Sequence, residues 1–449
     1  MKIKKEGQVL RIVLASFIFW MTSVALILAE TPENGSRAGT VITLDEAYRA
    51  ALIRNERIQI AREDLLQAKE EVRRARSALF PSLTGQFDYL RRPSAKTRGG
   101  FLLRSESESQ FTVTLSQPLY SGGRARAQHR IAQLGIKGDA LNLALAKEAL
   151  LLETARVYYE VLKAMNDVRI EVKELARLEA HRQSAQRRLQ VGEVTKTVLL
   201  RAEADLSDAK AKLIRAKNEE EAKKDQLSFL TGIEGPFEVV DPAPAVYSDR
   251  LTSDWLSLSH EKRLELQQGG VNIDEAGEGV KFARGHFLPF LSLDLEYRWV
   301  NQDPVGNFLI EEDPLAILKL TVPIFEGMLR TAELAQARSR LRQATLQRGQ
   351  IQDEIDVAVR RAILNVSTLN GELAHLKNRV RFAEEAYTLA ARQFDVGLGT
   401  HIDVLDANAS LLDAERRYSN TLYDREFAIL QLKRETGQFS PLSHQTIGD

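Results

Sequence analysis

The chain has 449 residues, 62 basic and 62 acidic side chains, no net charge and no cysteine. The lack of cysteine excludes a disulfide framework, a thiolate metal site, a cysteine nucleophile and a lipid anchor on an N-terminal cysteine. Charge balance argues against a nucleic-acid binder, which carries a basic surplus, and glycine-rich phosphate loops of the P-loop or dinucleotide type are absent.

The first segment is a positively charged start followed by an apolar run. Lys2, Lys4, Lys5 and Arg11 precede Ile12 to Leu28, and the small residue Ala29 closes the run. This pattern predicts a secretory signal peptide over residues 1–29; the alternative is an uncleaved anchor near the short limit for a span. Cleavage would leave a net charge of −3 (0 − 4 + 1). No second apolar stretch of spanning length follows. A later membrane crossing would have to be made by strands.

A helix is predicted from Thr43 to about Ala78, opened by a capping-box pattern of Thr43 and Glu46 and stopped by Pro81. Two strands follow, about 82–92 and 107–118, in which Leu83, Phe87 and Tyr89, then Phe111, Val113 and Leu115, alternate with polar residues. From Arg124 to Gln190 there is no proline, and Leu151, Thr154, Tyr158, Val161, Met165, Val168, Val172 and Leu175 step by three and four. That is a helix-packing seam, on a helix that at 1.5 Å per residue would reach roughly 100 Å. After a turn, Leu199, Ala202, Leu206, Ala209, Leu213 and Ala216 form the seam of a return helix. Residues 233–253 read as a linker and 438–449 as a tail.

The whole plan then repeats. "QVGEVTKTVLLRAEADL" from Gln190 aligns with "DVGLGTHIDVLDANASL" from Asp395 at an offset of 205 (397 − 192). Pro81 aligns with Pro289, Tyr89 with Tyr297, Pro118 with Pro323 and Gly122 with Gly327. The repeats are 30–232 and 254–437, a duplication rather than a solenoid, whose units run to about 20–50 residues. The second copy has a helix over about 254–283, expected to be weakened or broken by Gly269, Gly270, Gly277 and Gly279. Strands at about 290–301 and 314–322 and a proline-poor hairpin over 328–436 follow. At the two hairpin tips, Gly192 and Gly397 are expected left-handed helix C-caps and Thr195 and Thr400 the next N-caps.

Strands of about nine to eleven residues with one apolar, aromatic-bearing face have the length and pattern of lipid-facing barrel strands. Four per chain cannot close a barrel, so copies must share one; two chains would supply eight strands and three would supply twelve. The helices leave the same end of every strand pair and would form a helical tube beneath. A pore-free periplasmic coiled-coil scaffold or adaptor would explain the heptads but not the strands. An enzyme finds no support: His129, His181, His260, His286, His375, His401 and His444 form no metal motif, and no nucleophile–base pair stands out.

The joints "LFPSL" and "FLPFL", the turn "QPLYSGGR" and the tips "VG…VLLRAEADL" and "VG…DVLDANASL" resemble the TolC family of outer-membrane efflux proteins, over about residues 40–437. The resemblance implies a mixed α/β membrane protein. Long antiparallel α-helical hairpins would form a periplasmic α-barrel, and four strands per chain would join a shared 12-stranded β-barrel of a homotrimer. It also implies passive export of drugs, metals, small molecules or proteins, with no cofactor, driven by an inner-membrane transporter through a periplasmic adaptor. The adaptor would grip the tips, here Gly192, Thr195, Leu199, Leu200, Gly397, Thr400, Val404 and Leu405. The family's acidic entrance constriction matches Asp403 and Asp406, three apart on one helix face, which threefold symmetry would turn into two carboxylate rings. The first copy carries Val198 and Arg201 at these places, where Arg201 would offset acid charge. The positions of a polar latch known in some members hold Val198, Phe394 and Gly399, which supply no such links.

Overall fold

The computed structural model describes residues 40–440 except 246, 248–249 and 308. The apolar leader and the tail after residue 440 lie outside the described residues. In chain order the elements are β1 (Thr40–Ile42), α1 (Leu44–Arg54), α2 (Glu56–Ser77), β2 (Ser82–Arg91), β3 (Lys96–Arg98), β4 (Phe101–Arg104), β5 (Ser107–Tyr120), α3 (Arg124–Gln190) and α4 (Lys196–Thr231). Then come β6 (Phe237–Val239), α5 (Thr252–Lys262), α6 (Leu264–Gly285), β7 (Phe290–Asp303), β8 (Glu312–Thr321), α7 (Leu329–Asp395) and α8 (His401–Glu435).

Thr43 does cap α1: its hydroxyl accepts the Glu46 N–H, and the Glu46 carboxylate accepts the Thr43 N–H at 2.8 Å. The single helix expected over 43–78 is, however, two. Asn55 leaves the helical region (ψ 126°), ends α1 and caps α2 by accepting the Arg57 N–H at 3.0 Å, while its amide reaches the Leu230 carbonyl. The second copy breaks at the equivalent place, Arg263, which is buried and ion-paired with Glu265 at 2.8 Å and Glu435 at 2.6 Å. The expected break at the glycines does not occur; α6 runs unbroken through all four. Packing outweighs propensity there: a Cβ on Gly269 would lie 3.0 Å from Cγ of Arg348, so the missing side chain lets α7 approach.

The four long strands form one antiparallel sheet in the order β2-β5-β7-β8. Its register aligns Leu83, Leu115, Leu295 and Ala316 on one face, and Phe87, Phe111 and Trp299 on the same face further along. The other face carries Thr84, Thr114 and Glu296, then Gln86, Thr112, Arg298 and Asp313. Arg298 pairs with Asp313 at 2.5 Å, and the Ser116 hydroxyl donates to Asp294 at 2.5 Å. Leu83, Phe87, Leu318 and Leu320 are exposed although apolar, and β2 and β8 each lack a neighbour on one side. No helix among the described residues is long and apolar enough to cross a membrane.

Each 67-residue helix, α3 and α7, packs along its far half with its return helix; along their near halves α3 packs with both α2 and α6, and α7 with α6. Two apolar belts hold the middle. The first joins Tyr48, Ile58, Leu150, Tyr158 and Leu227 to the small β1–β6 sheet. There the Tyr158 hydroxyl lies 2.7 Å from the Val240 carbonyl and accepts the Val240 N–H at 3.2 Å. The second gathers Trp255, Leu266, Val359, Val366 and Ile429.

Candidate functional site

The two tips are built alike. At the end of α3 the Gly192 N–H bonds the Leu189 carbonyl and the Glu193 N–H bonds the Arg188 carbonyl; at the end of α7 Gly397 and Leu398 repeat this on Phe394 and Gln393. This is the Schellman pattern, which requires a left-handed residue, and Gly192 and Gly397 supply it at φ 77° and 82°. The following N-caps differ. Thr400 accepts the Asp403 N–H, and the Asp403 carboxylate returns to the Thr400 N–H at 2.8 Å and hydroxyl at 2.7 Å. Thr195 has the same extended backbone but makes no side-chain capping bond. The third residue on is Val198 in one case and Asp403 in the other, so the missing carboxylate accounts for half of the missing box.

The predicted site residues fall into distinct groups. Asp403 and Asp406 are both exposed and one turn apart. The bonds from Thr400 hold the Asp403 carboxyl below its ordinary value. Gly192, Thr195, Leu200, Gly397 and Thr400 are exposed, and Leu199 and Leu405 are half-buried. Val404 is 2% exposed, so it supports the tip from inside and cannot serve as the contact residue expected of it. The exposed apolar surface comes instead from Val191, Val396, Leu398 and Ile402 together with Leu200; Leu398 is 83% exposed. Leu398 and Ile402 lie within the tip expected from Gly397 to Leu405, whereas sequence reasoning passed over Val191 and Val396, although they share the repeat offset of 205. Of the latch positions, Phe394 is buried, with its ring 4.8 Å from that of His181 and the Arg188 guanidinium 4.7 Å above it. Arg188 also donates to the Phe394 carbonyl at 2.6 Å and to Glu193 at 2.9 Å.

Below the apolar belts the contact between the two hairpins turns polar. The seam predicted on α3 continues through Val161, but Val172 is exposed; the buried positions nearer the tip are Ile170, Glu171, Glu174, Leu178, His181, Ser184 and Ala185. The polar ones among them find partners on the second hairpin, mostly on α8, while Leu178 packs on Leu206 and Ala209 of α4. Asn166 meets Ser419 at 2.5 Å, Glu171 meets Arg416 at 2.5 Å, Asn408 donates to Glu174 at 2.7 Å, and Arg177 meets Glu415 at 3.0 Å. At the tip, His181 Nε2 is 2.5 Å from His401 Nδ1 with the rings stacked at 4.7 Å, and Ser184 donates to Asp395 at 2.5 Å. His401 Nε2 lies 3.6 Å from Asp205 on α4. Burial, then the neighbouring His401, push His181 down to about 4. Burial likewise lowers His401, and it raises Glu174 and Asp167.

An open-edged sheet with one apolar face, set on paired helical hairpins with apolar tips, defines a protein that spans an outer membrane by strands and extends a helical conduit from it. The family model described as outer membrane efflux protein matches residues 47–233 and 255–438, and the chain belongs to this family. It is 26% identical over 389 residues to the outer membrane protein TolC of Vibrio cholerae, covering 83% of this chain and 85% of that one. It is 24% identical over 417 residues to the alkaline protease secretion protein AprF of Pseudomonas aeruginosa, covering 87% and 84%. The crystal structure of CusC superposes with a TM-score of 0.78 at 17% identity, covering 92% of this chain and 99% of that one, which shows a shared fold. The protein is thus an outer-membrane exit channel of an efflux system, a passive conduit and not an enzyme. The scaffold reading is set aside. Membership in such systems implies an adaptor and an inner-membrane partner.

Proposed function

We propose that three copies close a twelve-stranded barrel and a continuous helical tube, through which cargo delivered at the tips leaves the periplasm. The observation that supports this is the four-stranded sheet itself. Its apolar face is uncovered, and β2 and β8 are open at opposite edges, an arrangement that lipid does not tolerate until the edges pair. The adaptor would seat on Val191, Leu200, Val396, Leu398 and Ile402, around the turn residues Gly192, Thr195, Gly397 and Thr400. Asp403 and Asp406 would ring the entrance and favour cations there.

The deciding experiment is the native mass of the full-length protein extracted in detergent from outer membranes. Three copies are expected; a monomer or a dimer refutes the closure. For the entrance, Asp406→Asn is the cleaner variant, because Asp403 also caps α8. It should lower cation preference in a planar bilayer, and unchanged ion selectivity would remove Asp406 from the pore.

A further inference from the structure

The helices leave one end of the sheet, and in an outer-membrane channel with a periplasmic helical extension the opposite end faces outward. Two loops lie at that end, and with the strand ends they join they have opposite charge. Residues 91–104 hold Arg91, Arg92, Lys96, Arg98 and Arg104 and no acid. Residues 303–313 hold Asp303, Glu311, Glu312 and Asp313 and no base. In a chain of zero net charge, five cations within fourteen residues are a marked concentration.

The basic loop is ordered as the β3–β4 hairpin, pairing Lys96 with Arg104, Thr97 with Leu102 and Arg98 with Phe101. Paired residues share a face and successive ones alternate. Lys96, Arg98, Phe101 and Arg104 therefore lie on one face, and Thr97 and Leu102 on the other. The second face is engaged: a Cβ on Gly306 of the acidic loop would sit 3.6 Å from Leu102. The cationic face is thus turned from the loop that could neutralise it. Arg92 is committed, to Glu108 at 3.5 Å and to Ser105. Lys96, Arg98 and Arg104 are exposed and make no ion pair with any described residue. Leu103, at the bulge, is 66% exposed beside them.

We propose that Lys96, Arg98 and Arg104 on the β3–β4 hairpin form a docking face for phosphate-bearing lipid headgroups in the outer leaflet around the barrel. Long cationic side chains at a membrane rim reach headgroup level while their stems lie over apolar surface. Each contributes roughly a factor of five in affinity for an anionic lipid surface. The exposed apolar Leu103 gives the same hairpin purchase at the acyl boundary.

The test uses detergent-extracted full-length protein and lipid A, a bisphosphorylated glycolipid, as the probe, with retained lipid counted by native mass spectrometry. A dephosphorylated lipid A with the same acyl chains and millimolar inorganic phosphate form the second and third arms. Retention of the phosphorylated form is expected. The triple variant Lys96→Gln, Arg98→Gln, Arg104→Gln should weaken it roughly a hundredfold at low salt, with the assembly mass unchanged. These are surface substitutions outside the long strands, so folding is preserved, and the unchanged mass verifies it. Four results would each overturn the proposal. Phosphorylated and dephosphorylated lipid A could bind alike. Inorganic phosphate could displace the lipid fully, showing a free-anion site. The triple variant could retain lipid unchanged but lose assembly, placing these cations against the acidic loop of another copy. Lipid retention could also stay unchanged while anion permeability falls, placing the face over the lumen.

Discussion

Lowering the pH should loosen the two hairpins at their tips, and His181 sets the size of the effect. Its ring is 7% exposed, bonded to His401, and held at about 4 against an ordinary 6.5. When the seam opens to water the ring regains its ordinary value. A histidine depressed in the closed state stabilises closure fully above its open-state value, and that contribution is lost as pH falls from about 6.5 towards 4. At pH 5 the open state is favoured by about 2 kcal/mol relative to pH 8, roughly a thirtyfold rise in opening. His401 is lowered by burial and adds in the same direction. Arg201 assists by repelling a second charge there, while Asp205 and Asp395 oppose it. Glu174 and Asp167 have carboxyls raised by burial. They bind protons in the closed seam and so favour closure as pH falls, which offsets part of the histidine effect at the acid end.

Hydrogen exchange of peptides covering 176–190 and 394–408, corrected for the intrinsic pH dependence of exchange, measures the opening. Protection should fall between pH 7 and 5 in the native protein. His181→Phe keeps a ring beside Phe394 and leaves His401, Glu174 and Asp167 in place, so it should reduce the fall to the smaller net effect of those three groups. Equal protection across the range, or the same fall in His181→Phe, would refute the reasoning.

Other outcomes follow from the caps and the sheet–helix joint. Thr400→Ala should cost about 1 kcal/mol of local stability at the start of α8, whereas Thr195→Ala should cost little, because only Thr400 makes side-chain capping bonds; exchange rates at 400–406 and 195–201 compare them directly. Val198→Asp should complete the missing capping box and slow exchange at the start of α4, and no change there would mean that the first tip is limited by something other than its cap. Gly122→Ala should cost several kcal/mol, because the residue sits at φ 63° and an added Cβ would lie 2.4 Å from the Gly285 carbonyl oxygen. The yield of folded, detergent-extracted protein reports it.

The features legible in the sequence were those set by neighbours in the chain. Pro81 and Pro289, Gly192 and Gly397, and the period-two strands are local signals, and the duplication made each visible twice. The features that escaped depend on partners far along the chain. Asn55 and Arg263 break helices by reaching Leu230 and Glu435, 175 and 172 residues away. The glycines of α6 suggest a broken helix until Arg348 is seen lying against Gly269. Glu171, Glu174 and Arg177 look like a solvated helix face, because Arg416, Asn408 and Glu415 lie between 234 and 245 residues away. His401 could be placed at a tip from the repeat, but His181, 220 residues earlier, carried no mark of its role.

This division between apolar and polar contacts has a mechanical consequence. In the middle of the helices, Tyr48, Tyr158, Leu150 and Leu227, with Val359, Val366 and Ile429 in the second belt, are held by burial. Separating them exposes apolar surface at about 25 cal/mol per Å², with no compensation from water. Nearer the tips, the hairpins meet through Glu174 and Asn408, Arg177 and Glu415, and Glu171 and Arg416. When these groups part, water replaces each partner, so a typical hydrogen bond is worth only about 0.5–1.5 kcal/mol net. Half-exposed ion pairs such as Arg416 with Asp167 contribute less still. The cost of separation therefore falls from the belts towards the tips. The hairpins are stiffest at the belts and most easily parted at their tips, and that gradient follows from the side chains buried along α3.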